Sequence, residues 1–336
     1  MKEALYYKKL KNNIVRCQLC PRFCVIKENE IGNCHVRKNI KSKLFSLVYG
    51  KPCSAAVDPI EKKPFFHFLP GSKSYSIATV GCNLHCLQCQ NYSISQAYVE
   101  DVPSLDLSPE EIVKDALANG CKSISYTYTE PASTVIEYVI DVAKLAKKKD
   151  LKNNIVSNGY INPEPLKELC KYIDAANIDL KGNEKFYKEI CGDVRLNEIL
   201  NSLKILYKNK IHIEITNLII PGYNDSEKEI KRMLEWIKEN LSLDIPIHFS
   251  RFFPYYKLNN IPPTPEKTLE KAKKIAENLG FKYVYIGNIF IDKAENTYCP
   301  KCKKLLIERC GFDILQNNIT KNKCKFCDGL ITGVWE

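Results

Sequence analysis

The sequence contains no apolar run of about 18 residues that would cross a bilayer, and Met1-Lys2-Glu3-Ala4-Leu5-Tyr6-Tyr7-Lys8-Lys9 lacks the apolar stretch of a secretory leader. Neither a membrane-spanning nor a secreted protein is expected, and a cytoplasmic one is. Histidine is scarce: His35, His67, His85, His212 and His248 show no pairing at helical spacing, so they form no metal constellation of their own. There is no internal sequence repeat and no low-complexity linker, which leaves an ordinary globular chain. Its 45% hydrophobic and 26% charged content agrees with that.

Cysteine is what the chain has in excess. There are sixteen, eleven of them in three close sets. In a reducing compartment such sets point to metal rather than disulfides. The other five, Cys53, Cys121, Cys170, Cys191 and Cys310, are scattered and read as small buried hydrophobes. Charge follows cysteine. Residues 1–52 hold twelve Lys/Arg against three Asp/Glu and residues 299–336 hold seven against four, so the middle is close to neutral although the chain carries +11. Four thiolates around Zn²⁺ leave a site of about −2, so part of the basic excess balances metal-bound thiolate instead of advertising a nucleic-acid surface.

Between residues 74 and 290, short apolar runs alternate with helical patterns, the signature of repeated βα units and a parallel sheet. Strands are expected at Tyr75–Val80, Lys122–Tyr126, Asn154–Ser157, Ala176–Leu180, His212–Leu218, Ile245–Ser250 and Lys282–Ile286. Helix starts are marked by Ser108-Pro109-Glu110-Glu111, Asn162-Pro163-Glu164, Asp225-Ser226-Glu227 and Thr264-Pro265-Glu266. The expected fold is α/β, a partial TIM-type barrel with a cysteine-rich N-terminal extension (1–73) and a C-terminal zinc-ribbon-like appendage (291–336), with chemistry at the strands' C-terminal ends. Gly50–Gly71, with four prolines, reads as a connection over the barrel surface, and Phe65-Phe66-His67-Phe68 within it as packing.

The first strand is followed by Cys82, Cys86 and Cys89, spaced C-x3-C-x2-C. Three thiolates on one loop cannot close a four-ligand shell by themselves. They suit a [4Fe–4S] cluster with one iron left to a ligand that is not protein, or a zinc knuckle borrowing His85 or His67. Polar residues stand after each following strand: Tyr128-Thr129-Glu130-Pro131, Ser157-Asn158-Gly159, Asp179-Leu180-Lys181, then Asn217 and Pro221-Gly222-Tyr223-Asn224-Asp225.

In order and spacing these motifs resemble the radical SAM superfamily, in particular pyruvate formate-lyase activating enzymes and the AmmeMemoRadiSam-system branch. The resemblance implies that S-adenosylmethionine (SAM) chelates the open iron. One electron then breaks its sulfonium C–S bond, and the resulting 5′-deoxyadenosyl radical abstracts hydrogen from a substrate. It further implies that Thr129 and Glu130 meet the SAM ammonium, that Ser157 and Asn158 contact SAM, and that Lys181, with Asp179, pairs with its carboxylate. Three departures stand out: Thr129 replaces a family glycine, Val156 replaces an acid, and Gln88 replaces the aromatic residue before the last cysteine. The implied partners are a reductive electron donor, a small-molecule or protein substrate and proteins of the AmmeMemoRadiSam system. Glycyl radical enzyme activation and small-molecule modification both fit. RNA modification, motivated by the basic cysteine-rich ends, and a non-catalytic zinc-binding scaffold are the alternatives. No residue is singled out as catalytic.

Two further sets complete the metal reading. Cys299, Cys302, Cys324 and Cys327, C-x2-C…x21…C-x2-C, match a zinc ribbon, with zinc or iron in a closed structural site. Cys17, Cys20, Cys24 and Cys34 suit zinc or an auxiliary iron–sulfur centre, with zinc slightly favoured. His248 reads as a core histidine able to face the cavity, and Arg251 as a candidate for holding an anion.

Overall fold

The computed structural model describes all 336 residues, Met1–Glu336. An eight-stranded sheet is its frame: β1 (Ser54–Pro59), β2 (Lys73–Ala78), β3 (Ser123–Tyr126), β4 (Lys152–Ser157), β5 (Ala175–Asp179), β6 (His212–Ile219), β7 (Ile247–Arg251) and β8 (Val284–Gly287), hydrogen-bonded in that order. Strands β2 to β8 are parallel and strictly sequential, while β1 runs antiparallel along the edge of β2. No ladder joins β8 back to β1, so the barrel stays open.

The seven expected strands are present within two residues at each end. The edge strand was not expected, and it corrects the reading of 50–71 as mere connection. Pro59 ends it, and an edge strand tolerates proline where an interior one does not.

Helices cross between the strands: α1 (Pro109–Ala118), α2 (Ile136–Lys147), α3 (Pro163–Leu169), α4 (Leu196–Lys208), α5 (Glu227–Asn240) and α6 (Glu266–Asn278). Ser108 and Glu111 cap α1 reciprocally, and Ser226 caps α5. Helix α5 turns Ile230, Leu234 and Ile237 onto the sheet, the face its sequence period marks.

The N-terminal extension shares one apolar core with the barrel. Val15, Leu19, Val36 and Leu44 belong to the same buried cluster as Ile124, Ile155 and Ile215. A buried ion pair, Arg37–Glu137, fixes the extension to α2, and the same guanidinium donates to the Thr134 carbonyl. The C-terminal appendage has a smaller core, in which Cys299, Leu306, Ile307 and Cys324 pack with Tyr283 and Tyr285 at the last strand. All sixteen cysteines are free thiols, and no helix is long and apolar enough to cross a membrane.

Candidate functional site

Parallel strands in register bring their C-terminal ends to one rim. Pairings Ile77↔Tyr126, Ser157↔Ile178 and Asp179↔Thr216 set the loops after β2, β3, β4 and β5 side by side. There they surround a cavity of about 620 Å³, the size of an ordinary ligand site. Cys82, Cys86, Cys89, Thr129, Ser157, Asn158, Asp179 and Lys181 all line it.

The cysteine loop is held open by its neighbours. Its backbone docks through His85 N donating to Cys191 O (3.1 Å) and Leu87 N to Ile190 O (2.9 Å). Gly81, at φ +97°, sits so close to the extension that a Cβ would lie 2.5 Å from the Cys34 carbonyl and from Val36, which no side chain survives without movement. The Leu84 amide points at Cys82 Sγ (3.4 Å), and the Ser95 hydroxyl stands 3.2 Å from Cys89 Sγ. Such donors suit thiolate sulfur. Burial, followed by the Glu130 charge, pushes the Cys82 thiol well above its ordinary range. Contact with the Cys191 thiol draws Cys86 down.

Neither histidine considered as a fourth ligand is free. His85 is bonded to Gln96 Oε1 (2.6 Å) and Asn33 Oδ1 (3.0 Å), and His67 to Tyr285 Oη (2.6 Å) and the Thr332 carbonyl (2.7 Å). The three thiols therefore fit a cluster anchored at three corners better than a borrowed-ligand knuckle.

Lys181 and Asp179 form a 2.6 Å ion pair on the cavity wall. Burial by itself would lower the Lys181 ammonium, but Asp179, Cys86 and Cys191 more than offset it and hold it well above the ordinary lysine range. Asn158 Nδ2 lies 3.7 Å from Cys82 Sγ and donates to Asn83 Oδ1 (3.0 Å).

Glu130 stands apart from these. Its carboxylate is fully buried and does not line the cavity; it accepts from the Ser157 hydroxyl (2.9 and 3.1 Å), the Asn158 amide (2.8 Å) and the Ala132 amide (3.1 Å). It clamps the loops after β3 and β4 together. Burial, only partly countered by these donors, pushes its pKa up to about 7. Gln88 lines the cavity with its Oε1 buried and without a partner, an acceptor available to a ligand.

Behind the cavity lining lies a carboxylate that sequence reading passed over. Glu214, buried on β6, accepts from the Phe66 amide (3.0 Å) and the His67 amide (2.7 Å) and meets His212 (3.1 Å) and His248 (2.6 Å). These partners hold it well below the ordinary carboxylate range against the opposing effect of burial. His248, Phe66 and Tyr285 form the floor, with Lys62, Lys63, Glu61, Glu295 and Phe312 around it. His248 is thus both a satisfied buried histidine and a cavity residue. Phe66, expected only as packing, is a wall. Arg251 does not line the cavity: its Nε donates to the Thr264 carbonyl (2.9 Å) and its guanidinium lies over Phe253. Cys191, expected as a small buried hydrophobe, is buried and also interacts with the Cys86 thiol.

At the C-terminus the sulfurs of Cys299, Cys302, Cys324 and Cys327 all lie within 4.8 Å of one another, and both Cys299···Cys327 and Cys302···Cys324 are 3.7 Å. Four sulfurs at 2.3 Å from one tetrahedral ion stand about 3.8 Å apart. The set fits a single zinc or iron ion.

Comparison with known proteins agrees with this geometry. A profile of the Radical SAM superfamily matches residues 76–237. An uncharacterised protein of Methanocaldococcus jannaschii is 47% identical, covering 97% of this chain and 98% of its own length. The pyruvate formate-lyase 1-activating enzyme of Escherichia coli is 23% identical, covering 61% of this chain and 89% of its own length. Among solved structures, a radical SAM methyltransferase from Sphaerobacter thermophilus shares the fold at a TM-score of 0.50 and 11% identity, over 66% of this chain and 67% of that one.

Proposed function

We propose, on the premise that this chain belongs to the radical SAM superfamily, that it reductively cleaves SAM and removes a hydrogen atom from a small polar substrate held at the floor of the same cavity. The observation that carries this reading is the meeting of three thiols from one loop with Thr129, Ser157, Asn158, Asp179 and Lys181 around one cavity. When bound, the cluster anchored by Cys82, Cys86 and Cys89 supplies the electron that opens the sulfonium C–S bond.

The chain's own residues orient and enclose. Lys181 offers its ammonium to the SAM carboxylate, with Asp179 fixing its direction. Ser157 and the Asn158 amide are held in place by Glu130, which acts from behind the wall as a positioning residue. Gln88 offers the acceptor that an adenine amino group needs. Residues 74–290 form the catalytic unit in this reading, with 1–73 and 291–336 as metal-bearing flanks.

A small molecule is favoured over a protein segment because Glu295 and Phe312, both from the C-terminal appendage, line the cavity together with Lys62, Lys63 and His248. This polar, partly aromatic floor suits a compact ligand with both charged and planar parts. The AmmeMemoRadiSam branch remains the assignment that the whole-chain motif order favours.

Anaerobic reconstitution should give about four iron at the Cys82 loop, and dithionite with SAM should release 5′-deoxyadenosine. A Cys82→Ala variant that matched the wild type in both would remove the reading.

A further inference from the structure

The N-terminal cysteines have no part in the site described above, and their geometry separates them from the C-terminal set. Cys17, Cys20, Cys24 and Cys34 line a single cavity together with Arg22, Arg37, Asn33 and Asn83. Three of the four thiols belong to buried residues. Around one zinc ion, sulfurs stand about 3.8 Å apart and leave no room between them. The C-terminal sulfurs obey that rule; at the N-terminus no three sulfurs come within 4.8 Å of one another, and none makes the 3.7 Å contact seen twice in the C-terminal set. The space they enclose admits a water-sized body.

The chain supplies its own calibration. The Cys82, Cys86 and Cys89 sulfurs likewise do not all lie within 4.8 Å of one another. A cubane with thiolates on its corners holds those sulfurs about 6 Å apart.

Charge is provided for as well. Buried Arg37 places Nη1 3.9 Å from Cys17 Sγ, and Arg22, also on the cavity, is tied by Nε to the Asn83 carbonyl (2.9 Å) and by Nη2 to the Gly192 carbonyl (2.6 Å). We propose that Cys17, Cys20, Cys24 and Cys34 hold a second, fully cysteine-ligated [4Fe–4S] cluster, not zinc. It adjoins the first site: Asn83 lines this cavity while its chain neighbour Cys82 lines the other, and the Asn83 side chain bonds both Asn158 and the Tyr160 carbonyl. The proposal departs from the slight preference for zinc drawn from the spacing.

Acid-labile sulfide gives the test, because a single-ion site at the C-terminus contributes none. The full chain, reconstituted anaerobically with iron and sulfide, should bind about eight sulfide per chain. A Cys82→Ser/Cys86→Ser/Cys89→Ser variant should keep about four, with the Mössbauer spectrum of a [4Fe–4S] cluster, and lose them when Cys17→Ser and Cys20→Ser are added. Wild-type sulfide of about four that persists in the triple variant would uphold this site and defeat the SAM-cluster reading instead. Wild-type sulfide of about four that vanishes in the triple variant, with two zinc ions per chain, would overturn the proposal. So would about six, the count expected with a two-iron cluster. The wild-type count needs no variant to fold.

Discussion

Glu130 should make the protein's stability fall as pH rises through neutrality, and Glu130→Gln should abolish that fall. The carboxyl is buried and its pKa stands at about 7 against an ordinary 4.5. A group whose folded pKa is raised stabilises fully below its unfolded pKa and loses that contribution as pH climbs through the folded value. The window is therefore pH 4.5 to 7 and somewhat above. The shift corresponds to about 3 kcal/mol across it. Glutamine has no proton to lose, so its stability lacks this component. It retains an acceptor for one of the amides of Ala132 and Asn158 but turns a donor toward the other, which costs about 1–2 kcal/mol at all pH values. Urea unfolding of both proteins under anaerobic conditions at pH 5, 6, 7 and 8 gives the difference, in which every other titrating group cancels. The wild type should be the more stable at pH 5, and the variant should equal or overtake it by pH 8. A difference that stays constant over this range would mean that the carboxylate is ionised throughout, and would refute the account of Glu130 as a buried clamp.

Four other outcomes follow from the same geometry. Lys181→Met should weaken SAM binding by about tenfold or more, as expected for loss of a charge-assisted contact, read by equilibrium dialysis with the cluster intact; unchanged affinity would remove Lys181 from the SAM carboxylate. Gly81→Ala should destabilise by about 1–3 kcal/mol through overpacking and a left-handed backbone, seen in thermal unfolding, with the extension becoming more open to protease; a neutral variant would mean that the extension docks more loosely than the 2.5 Å approach to the Cys34 carbonyl requires. Arg37→Met strands Glu137 as a buried unpaired charge and should cost about 3–5 kcal/mol, a loss that Arg37→Met/Glu137→Leu should largely restore. Stripping the C-terminal metal with a strong chelator should expose amides in residues 297–324 to hydrogen exchange while β3 to β6 stay protected, because the appendage has its own small core.

Much of the frame could be read from the chain because its parallel strands are short apolar runs closed by polar residues, and period and punctuation agree there. The Cys82 loop and the residues after β3, β4 and β5 fall where the barrel rule puts chemistry. What stayed hidden depends on contacts distant in sequence. Ser54–Pro59 is a strand only because β2 offers it an edge. Glu214 sits mid-strand in a run that reads as core, and its role appears only when His212, His248 and the Phe66 and His67 amides converge on it. Cys191 looks like any lone buried cysteine until the fold presses it against Cys86. Glu130 was expected from its motif to meet SAM, but a motif cannot tell which way a carboxylate turns, and here it faces Ser157 and Asn158. The N-terminal cysteines suggested a metal set from their spacing, whereas the choice between one ion and a cluster turns on sulfur spacing, which only three dimensions supply.

The central claim is that the Cys82, Cys86 and Cys89 loop leaves one iron for SAM. Electron–nuclear double resonance of the reduced protein with SAM labelled by ¹⁵N in its amino group and ¹⁷O in its carboxylate tests it directly. Hyperfine coupling of both nuclei to the cluster, retained in Cys191→Ser, is the predicted result; a reduced cluster that shows no coupling to either label, with Cys191 as its fourth ligand, would contradict it.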